Sequence, residues 1–183
     1  MQSRYILKFL RRTFRSRLSP NLNNHRCDVF ISHRRIDTNG TVSTLLYDQL
    51  HRLGCCPFLD NKTMKPGDKL FHKINNAIVE CKLGVAVFSP HYCESFFCLH
   101  ELALMLERQK KLIPIFCDIK PSQLRVNTDK LLVEPEELRR FKWALEEAKY
   151  TVGLTFNSST GNFSDVVHRA SEIIISTLME LED

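Results

Sequence analysis

A single carboxylate lies inside the otherwise apolar stretch SFFCLHELALMLERQ, at residues 95–109. The pattern predicts a helix that is buried on nearly every side, with Glu101 in its middle. On a helix, residues three and four positions apart are neighbours, and those around Glu101 offer no cation to its carboxylate. These neighbours are Phe97, Cys98, Leu104 and Met105. Because burying an unpaired charge is costly, Glu101 is the first candidate for a chemical role.

Metal and disulfide chemistry find no support in the sequence. The seven histidines and seven cysteines form no HExxH and no CxxC motif, which are spacings typical of metal or redox sites. An odd number of cysteines, most of them within apolar runs, is typical of a reduced intracellular protein. We therefore expect a cytoplasmic protein without a bound metal.

The positive charge of the chain is concentrated at its beginning. The formal net charge is +5, and residues 1–20 carry six basic residues and no acidic one, while residues 21–183 carry 20 basic and 21 acidic residues. The body is thus nearly neutral and lacks the basic patch with interleaved aromatic residues that a nucleic-acid surface would require. We expect no nucleic-acid partner.

Residues 1–20 would form a basic amphipathic helix if they fold, with apolar and basic side chains on opposite arcs. Three interpretations stay open: an organellar transit peptide, an anchor that contacts a membrane surface, or a basic tail without fixed structure. No stretch approaches the roughly 18 apolar residues of a membrane-spanning helix. We treat residues 1–20 as an extension and residues 21–183 as the domain.

The elements that must position Glu101 alternate between short apolar runs and helical patterns. Five runs predict strands: CDVFIS at 27–32, CCPFLD at 55–60, LGVAVFS at 83–89, KLIPIF at 111–116 and YTVGLTF at 150–156. A helical pattern follows each run, and the second helix is predicted to be capped by Asp68 and to bury Leu70. Five such units predict an α/β fold, a flavodoxin-like doubly wound five-stranded parallel sheet.

The carboxyl ends of the strands are where such a sheet binds ligands, and the loops after the first two strands should flank the helix of Glu101. The chain has no GxGxxG and no GxxxxGK[ST] motif, which excludes a dinucleotide-binding Rossmann fingerprint and a P-loop. Ser89 ends the third predicted strand, where a response-regulator receiver would need a phosphorylatable aspartate. The crevice is therefore expected to have a function other than Rossmann-type dinucleotide binding, P-loop phosphate binding or receiver phosphorylation.

Four motifs, in this order and spacing, resemble a plant Toll/interleukin-1 receptor (TIR) domain of the TIR-only type: CDVFISHRRIDT, FLDNKTMKPGD, VFSPHYCESFFCLHEL and IKPSQLRV. The resemblance covers residues 27–180 and implies the TIR fold. It implies that NAD+ is the substrate, with no separate cofactor, and that it is cleaved to nicotinamide and ADP-ribose or cyclic variants that signal in immunity and cell death. It also implies activation by self-association through contacts between TIR domains, with other TIR proteins as further partners.

The resemblance implies Glu101 as the catalytic residue. It implies NAD+ contacts from the loop after the first strand and from the helix of Glu101: Ser32, His33, Arg34, Arg35, Phe97 and Cys98. This loop departs from the usual FRGED, because Arg35 replaces Gly and Ile36 replaces Glu. Phe97 is either a substrate contact or a core residue. Cys98 is either an inert buried thiol or part of a second activity that forms cyclic nucleotides.

The implied reaction suits a lone carboxylate. The nicotinamide of NAD+ is already a cationic leaving group, so it needs no general acid to protonate it. Positive charge moves onto the ribose as the bond breaks, and a carboxylate among apolar side chains stabilises that charge. By resemblance, the loop from Asp60 to Lys69 gates the site and contacts a neighbouring TIR domain.

Two hypotheses of different classes follow. The first is an enzyme that cleaves NAD+, and the second is a scaffold that assembles with other TIR domains without turnover. The buried setting of Glu101 favours the enzyme, because a scaffold gains nothing from the cost of that burial. The departures at Arg35 and Ile36 favour the scaffold.

Overall fold

The sheet has five strands, all parallel, in the computed structural model, which describes residues 27–183. The strands are β1 (Val29–His33), β2 (Pro57–Phe58), β3 (Leu83–Phe88), β4 (Lys111–Cys117) and β5 (Leu154–Phe156), and their order is β2-β1-β3-β4-β5. All five predicted strands and the doubly wound α/β topology are confirmed. The amphipathic segment 1–20 lies outside the described residues.

Seven α-helices connect and cover the strands within residues 27–183. They are α1 (Arg35–Thr38), α2 (Val42–Arg52), α3 (Asp60–Thr63), α4 (Leu70–Glu80), α5 (Phe96–Glu107), α6 (Pro135–Lys149) and α7 (Phe163–Glu182). Short 3-10 turns at Tyr92–Glu94 and Pro121–Gln123 lead out of β3 and β4. None of the helices in this part of the chain combines the length and apolar character needed to cross a membrane.

The alternation of side chains along β1 divides the core into two layers. Val29 and Ile31 belong to the layer that includes α2 and α7, whereas Phe30 belongs to the layer that includes α4, α5 and α6. Ser32 therefore points to the same side as Phe30, toward α5. The period of the strand thus directs one hydroxyl toward the helix that carries Glu101.

Helix α5 lies unusually close to the sheet at one glycine. Met105 is fully buried on α5, and a Cβ added at Gly84 of β3 would overlap its sulfur atom. Gly84 pairs with Phe30 of β1 and Leu112 of β4, so the contact lies in the centre of the sheet. The absence of a side chain at this position sets the height of α5 above β1 and β3.

Helix α5 is also fixed at both ends. Its N-cap Ser95 accepts a hydrogen bond from the amide of Cys98, at 3.4 Å. At the other end, Arg140 of α6 donates two hydrogen bonds to Glu107, Nε to Oε1 at 2.5 Å and Nη2 to Oε2 at 3.0 Å. Such bidentate pairs fix geometry as well as adding energy. Glu107 therefore has a defined partner on the polar side of α5.

The start of α4 differs from the sequence prediction. Lys69 is its N-cap without a side-chain cap, whereas the Asp68 carboxylate accepts a hydrogen bond from the Lys65 amide at 2.9 Å. The predicted Asp68 cap is therefore wrong, because the carboxylate closes the preceding turn instead. Leu70 was expected in the core but is 43% exposed, since the first turn of α4 extends beyond the sheet.

We expect Gly84→Ala to lower the free energy of unfolding by about 1–3 kcal/mol, because the new methyl group must displace Met105 or lift α5. Thermal unfolding measures the loss. In the double variant Gly84→Ala/Met105→Ala, the loss should be smaller than the sum of the two single losses, because truncation removes the overlapping atoms. Additive losses would show that the close approach carries no strain.

Candidate active site

The Glu101 carboxylate meets the end of β1 in the interior of the domain. Glu101 is 7% exposed and Ser32 is fully buried, and the Ser32 hydroxyl donates to Glu101 Oε2 at 2.5 Å. Pairing of β1 with β3 places Ser32 beside Ala86, so a central strand fixes the donor. The charged residue predicted from the apolar helix thus has one specific polar partner, 69 residues away in the chain.

Tyr92 extends this contact into a chain of hydroxyl groups. Its ring is fully buried, its hydroxyl lies 2.7 Å from Ser32 Oγ, and it donates to the carbonyl of Cys98 at 3.1 Å. No role was predicted for Tyr92, although it belongs to the motif VFSPHYCESFFCLHEL. Its neighbours in sequence are mostly polar, so no local pattern indicated that its ring is buried.

The number of protons in this chain depends on the state of Glu101. Three contacts join Glu101, Ser32, Tyr92 and the Cys98 carbonyl, but the two hydroxyl groups supply only two protons. With Glu101 ionised, one contact has no proton. With Glu101 protonated, each group donates to the next and all three contacts are hydrogen bonds. The geometry therefore accepts both protonation states and satisfies the neutral one fully.

The surroundings favour the neutral form of Glu101 as well. Burial raises its pKa, the Ser32 hydrogen bond opposes this effect, and the negative charge of Asp60 raises the pKa further, to about 8. Among the ion pairs of residues 27–183, none includes Glu101. A pKa near 8 keeps the ionised form accessible close to neutral pH, and that form can stabilise a developing cation or accept a proton.

His33 connects two loops beside this carboxylate. Its ring Nδ1 lies 2.8 Å from the Thr38 hydroxyl, and its Nε2 lies 3.0 Å from Asp60 Oδ1. His33 is 6% exposed, so protein groups occupy both ring nitrogens. The His33 ring therefore positions two segments, the end of α1 and the start of α3, and the NAD+ contact implied for His33 stays a prediction.

Asp60 is held ionised by this contact. Burial raises its pKa, but the hydrogen bond and charge of His33, the Asn61 amide and the charge of Arg35 together outweigh burial, so the pKa lies below its ordinary value. The Asp60 Oδ1 atom also accepts from the amide of Asn61 at 2.7 Å. A fixed negative charge therefore lies near Glu101, which explains part of the raised pKa of Glu101.

Arg34 and Arg35 are adjacent but differ in burial. Arg34 is half-buried, and its Nε atom is buried without a hydrogen-bond partner within the described part of the chain. Arg35 is exposed at the start of α1, next to Ile36, which is 68% exposed. The structure thus brings Arg34 toward the interior, with a donor to spare, and leaves Arg35 at the surface.

Phe97 and Cys98 differ in access. Phe97 is 40% exposed, whereas Cys98 is buried and its thiol donates to the His33 carbonyl at 3.3 Å. Burial and the charge of Glu101 raise the pKa of the Cys98 thiol well above its ordinary value. The thiol therefore stays protonated, which favours the inert interpretation of Cys98 and leaves Phe97 as the accessible side chain.

A further set of hydrogen bonds, centred on Asp37, holds α1 against the end of β3. Asp37 accepts from the Ser89 hydroxyl at 2.6 Å and the His91 amide at 2.9 Å, and its Oδ1 accepts from His91 Nδ1 at 2.6 Å. Burial raises the pKa of Asp37, but these donors outweigh it, so the pKa is lowered. These contacts were not predicted, because Asp37 is more than fifty residues away from its partners in the chain. Across residues 27–183, no group of three or more His, Cys, Asp or Glu side chains is arranged to hold a metal ion.

We expect Glu101→Gln to become more stabilising as pH rises from 5 to 8.5. The folded-state pKa of Glu101 lies near 8 and its ordinary value is 4.5, so wild-type stability falls through this window as folding opposes ionisation. The variant has no such loss, and the difference should reach the order of a few kcal/mol. Thermal unfolding at several pH values tests this expectation. Glu147→Gln, at an exposed position of α6, is the matched control for loss of a carboxylate. A difference at position 101 that stays constant with pH would contradict the raised pKa.

The family comparison covers most of the chain. The model of the TIR domain family matches residues 11–178. This match begins inside the segment that the sequence analysis treats as an extension, so the domain boundary at residue 21 stays a prediction.

Two relatives show how the match is distributed. BdTIR of Brachypodium distachyon, described as a probable 2′ cyclic ADP-D-ribose synthase, is 48% identical over 160 residues, which are 86% of this chain and 71% of that protein. The TMV resistance protein N of Nicotiana glutinosa is 30% identical over 169 residues, which are 84% of this chain but 15% of that protein. The chain thus corresponds to most of the first relative and to a small part of the second.

Solved structures agree with the sequence matches. The TIR domains of the activated Roq1 resistosome superpose with a TM-score of 0.72 at 29% identity, covering 81% of this chain and 99% of that one. A TIR-STING receptor from C. gigas has the same fold, with a TM-score of 0.50 at 18% identity, over 83% of this chain and 42% of that one. On the family match, the identity to BdTIR and the shared fold, this chain belongs to the TIR domain family.

Proposed function

We propose that this TIR protein cleaves the bond between nicotinamide and ribose in NAD+, with Glu101 as the catalytic carboxylate. The observation that carries the proposal is a lone carboxylate, 7% exposed, bound to the end of a central strand and paired with no cation among the described residues. The 48% identity to BdTIR supports the same reaction class, since a cyclic ADP-ribose must be made from an activated ADP-ribose. NAD+ is such a compound.

Bond cleavage is heterolytic in this proposal. The electron pair of the bond between C1′ and nitrogen passes to the pyridinium, and neutral nicotinamide leaves without needing a proton. Positive charge develops on the ribose, where the Glu101 carboxylate stabilises it within an apolar wall. The Ser32 hydrogen bond fixes the carboxylate before the reaction begins, so little reorganisation is needed in the transition state.

A hydroxyl group then attacks C1′ and must lose its proton. Water as the attacking group gives ADP-ribose, and a hydroxyl of the same molecule gives a cyclic product. Glu101, with a pKa near 8, is suited to accept that proton near neutral pH. Similarity to BdTIR supports cyclisation through a 2′ oxygen as one outcome, beside hydrolysis.

Self-association is the second part of the proposal. The solved TIR domains with a TM-score of 0.72 come from an activated resistosome, which supports an active form of this chain that contains several TIR domains. The loop from Asp60 to Lys69 is the contact we assign to this assembly. Asp60 also bonds His33 beside Glu101, so a neighbour that moves this loop would act on the site directly. We place the reaction in the cytoplasm and its products in immune and cell-death signalling, with NAD+ and other TIR domains as the partners.

We expect Glu101→Gln and Glu101→Ala each to lower the rate of NAD+ cleavage by about 10²–10³, the effect of removing one preorganised electrostatic group. Mass spectrometry of the products measures nicotinamide, ADP-ribose and cyclic isomers separately. Glu147→Gln is the matched control and should keep the wild-type rate. Glu107 cannot serve this purpose, because its carboxylate holds Arg140. Wild-type turnover by Glu101→Gln would exclude the catalytic role, and a folded wild-type chain without turnover would leave the scaffold hypothesis.

The pH dependence of cleavage tests the electrostatic assignment. If ionised Glu101 is the active form, kcat/KM, which reports the chain without substrate, rises with pH through its pKa near 8. Asp60→Asn removes a negative charge that raises this pKa, so the rising limb should move to lower pH. Asp165→Asn, at an exposed position of α7, should leave the limb unchanged. If the rise of the rate with pH occurs at the same pH or at a higher pH in Asp60→Asn, a group other than Glu101 controls it.

A further inference from the structure

Two exposed aromatic rings touch each other beside the active-site helix. Phe71, in the first turn of α4, is 45% exposed, and Phe97, in the first turn of α5, is 40% exposed. Their ring centroids lie 5.2 Å apart, at an interplanar angle of 34°. The pair forms a small aromatic surface, which we call the Phe71–Phe97 wall.

The position of this wall relates it to Glu101. Phe97 precedes Glu101 by one helical turn on the same side of α5, and Phe71 lies against Phe97 from the neighbouring helix. The wall therefore continues from the carboxylate toward solvent. A substrate whose reacting carbon reaches Glu101 can place the group attached to that carbon against these rings.

The rings are held in place from behind. Phe71 meets the ring of His100 edge-on, with centroids 5.6 Å apart, and meets Phe96 in the same way at 6.4 Å. His100 Nε2 lies 2.9 Å from Asn75 Oδ1, and its Nδ1 accepts from Arg140 Nη1 at 3.2 Å. These contacts connect α4, α5 and α6. The wall is thus set before any ligand binds, which reduces the entropy lost on binding.

We propose that Phe71 is a substrate-binding residue, which together with Phe97 holds the pyridinium ring of NAD+ beside Glu101. The inference rests on the proposed function and names the part of the substrate that the wall recognises. The nicotinamide ring is flat and carries a positive charge while it is attached to ribose. The face of a phenyl ring attracts such a cation and also packs well against a flat ring.

The same chemistry distinguishes substrate from product. After cleavage the nicotinamide ring is neutral, so the cation–π part of its attraction to the wall disappears. The wall therefore favours the charged substrate over the departing ring. In the transition state the positive charge has begun to leave the pyridinium, so the wall contributes to binding of the ground state more than to the chemical step.

Kinetic constants separate this role from that of Glu101. We expect Phe71→Leu, which keeps apolar bulk but removes the ring, to raise KM for NAD+ about three- to tenfold with kcat within about twofold. Phe71→Tyr keeps an aromatic ring at this position and should have a KM close to that of the wild type. Trp143→Leu is the control for loss of an aromatic ring of similar exposure, and it should change neither constant. Melting temperatures of all variants show whether α4 and α5 stay packed.

Two inhibitors, one cationic and one neutral, test whether the wall attracts the positive charge of the pyridinium. In the wild-type chain, 1-methylnicotinamide, which is a cation, should inhibit more strongly than neutral nicotinamide, and Phe71→Leu should remove most of that difference. Binding of NAD+ to Glu101→Gln and to Glu101→Gln/Phe71→Leu, measured by calorimetry, requires no turnover. The double variant should bind about three- to tenfold more weakly.

The outcomes are distinct. Absence of cleavage by the folded wild-type chain contradicts the proposed function, whereas equal NAD+ affinity of the two Glu101→Gln chains contradicts the role of Phe71. An equal effect of Leu and Tyr at position 71 would contradict it as well. If Phe71→Leu instead lowers self-association in sedimentation while KM of the assembled form stays unchanged, the wall is a contact between copies and the inference is overturned.

Discussion

Burial of one carboxylate against the end of β1 is the constraint on which the site depends. The free-energy cost of this burial is reduced by a single hydrogen-bond donor, the Ser32 hydroxyl. The hydrogen bond forms only if the distance between β1 and α5 is maintained. Pairing of β1 with β3 fixes the strand, and Gly84 allows Met105 and α5 to approach it. The apolar packing of the central sheet therefore determines this polar contact, because a shift of α5 would leave the Glu101 carboxyl group buried without its hydrogen bond.

The loops around this contact are fixed by polar side chains rather than by regular structure. His33 holds the start of α3 through Asp60, and Asp37 holds the turn after β3 through Ser89 and His91. Each pair joins segments that are distant in sequence, so the loops cannot move independently of β1. This arrangement also places an ionised Asp60 near Glu101 and so connects loop position with the pKa of the candidate catalytic group.

The sequence predicted the sheet and Glu101 because both leave local signals. Buried parallel strands appear as short apolar runs, and a charge inside an apolar helix is visible within a single turn. The contacts of Tyr92 with Ser32 and of Phe71 with Phe97 join residues from different βα units, and periodicity carries no information on such pairs. The predicted Asp68 cap was wrong for a related reason. The Asp68 carboxylate could accept from the amides of the preceding turn or from those of α4, and it accepts from the Lys65 amide in the preceding turn.

Burial of Glu101 has two opposing effects on the proposed reaction. It strengthens the attraction of the carboxylate for a cation, but with a pKa near 8 only roughly a tenth of the side chains are ionised at pH 7. A positively charged substrate resolves this conflict, because a pyridinium near Glu101 favours its ionised form and so lowers its pKa. Binding of the cation and loss of the proton are then linked. Cleavage moves the positive charge onto the ribose, and attack by the hydroxyl then neutralises it. Glu101 loses its cationic neighbour at that step and again favours the proton that the attacking hydroxyl must release.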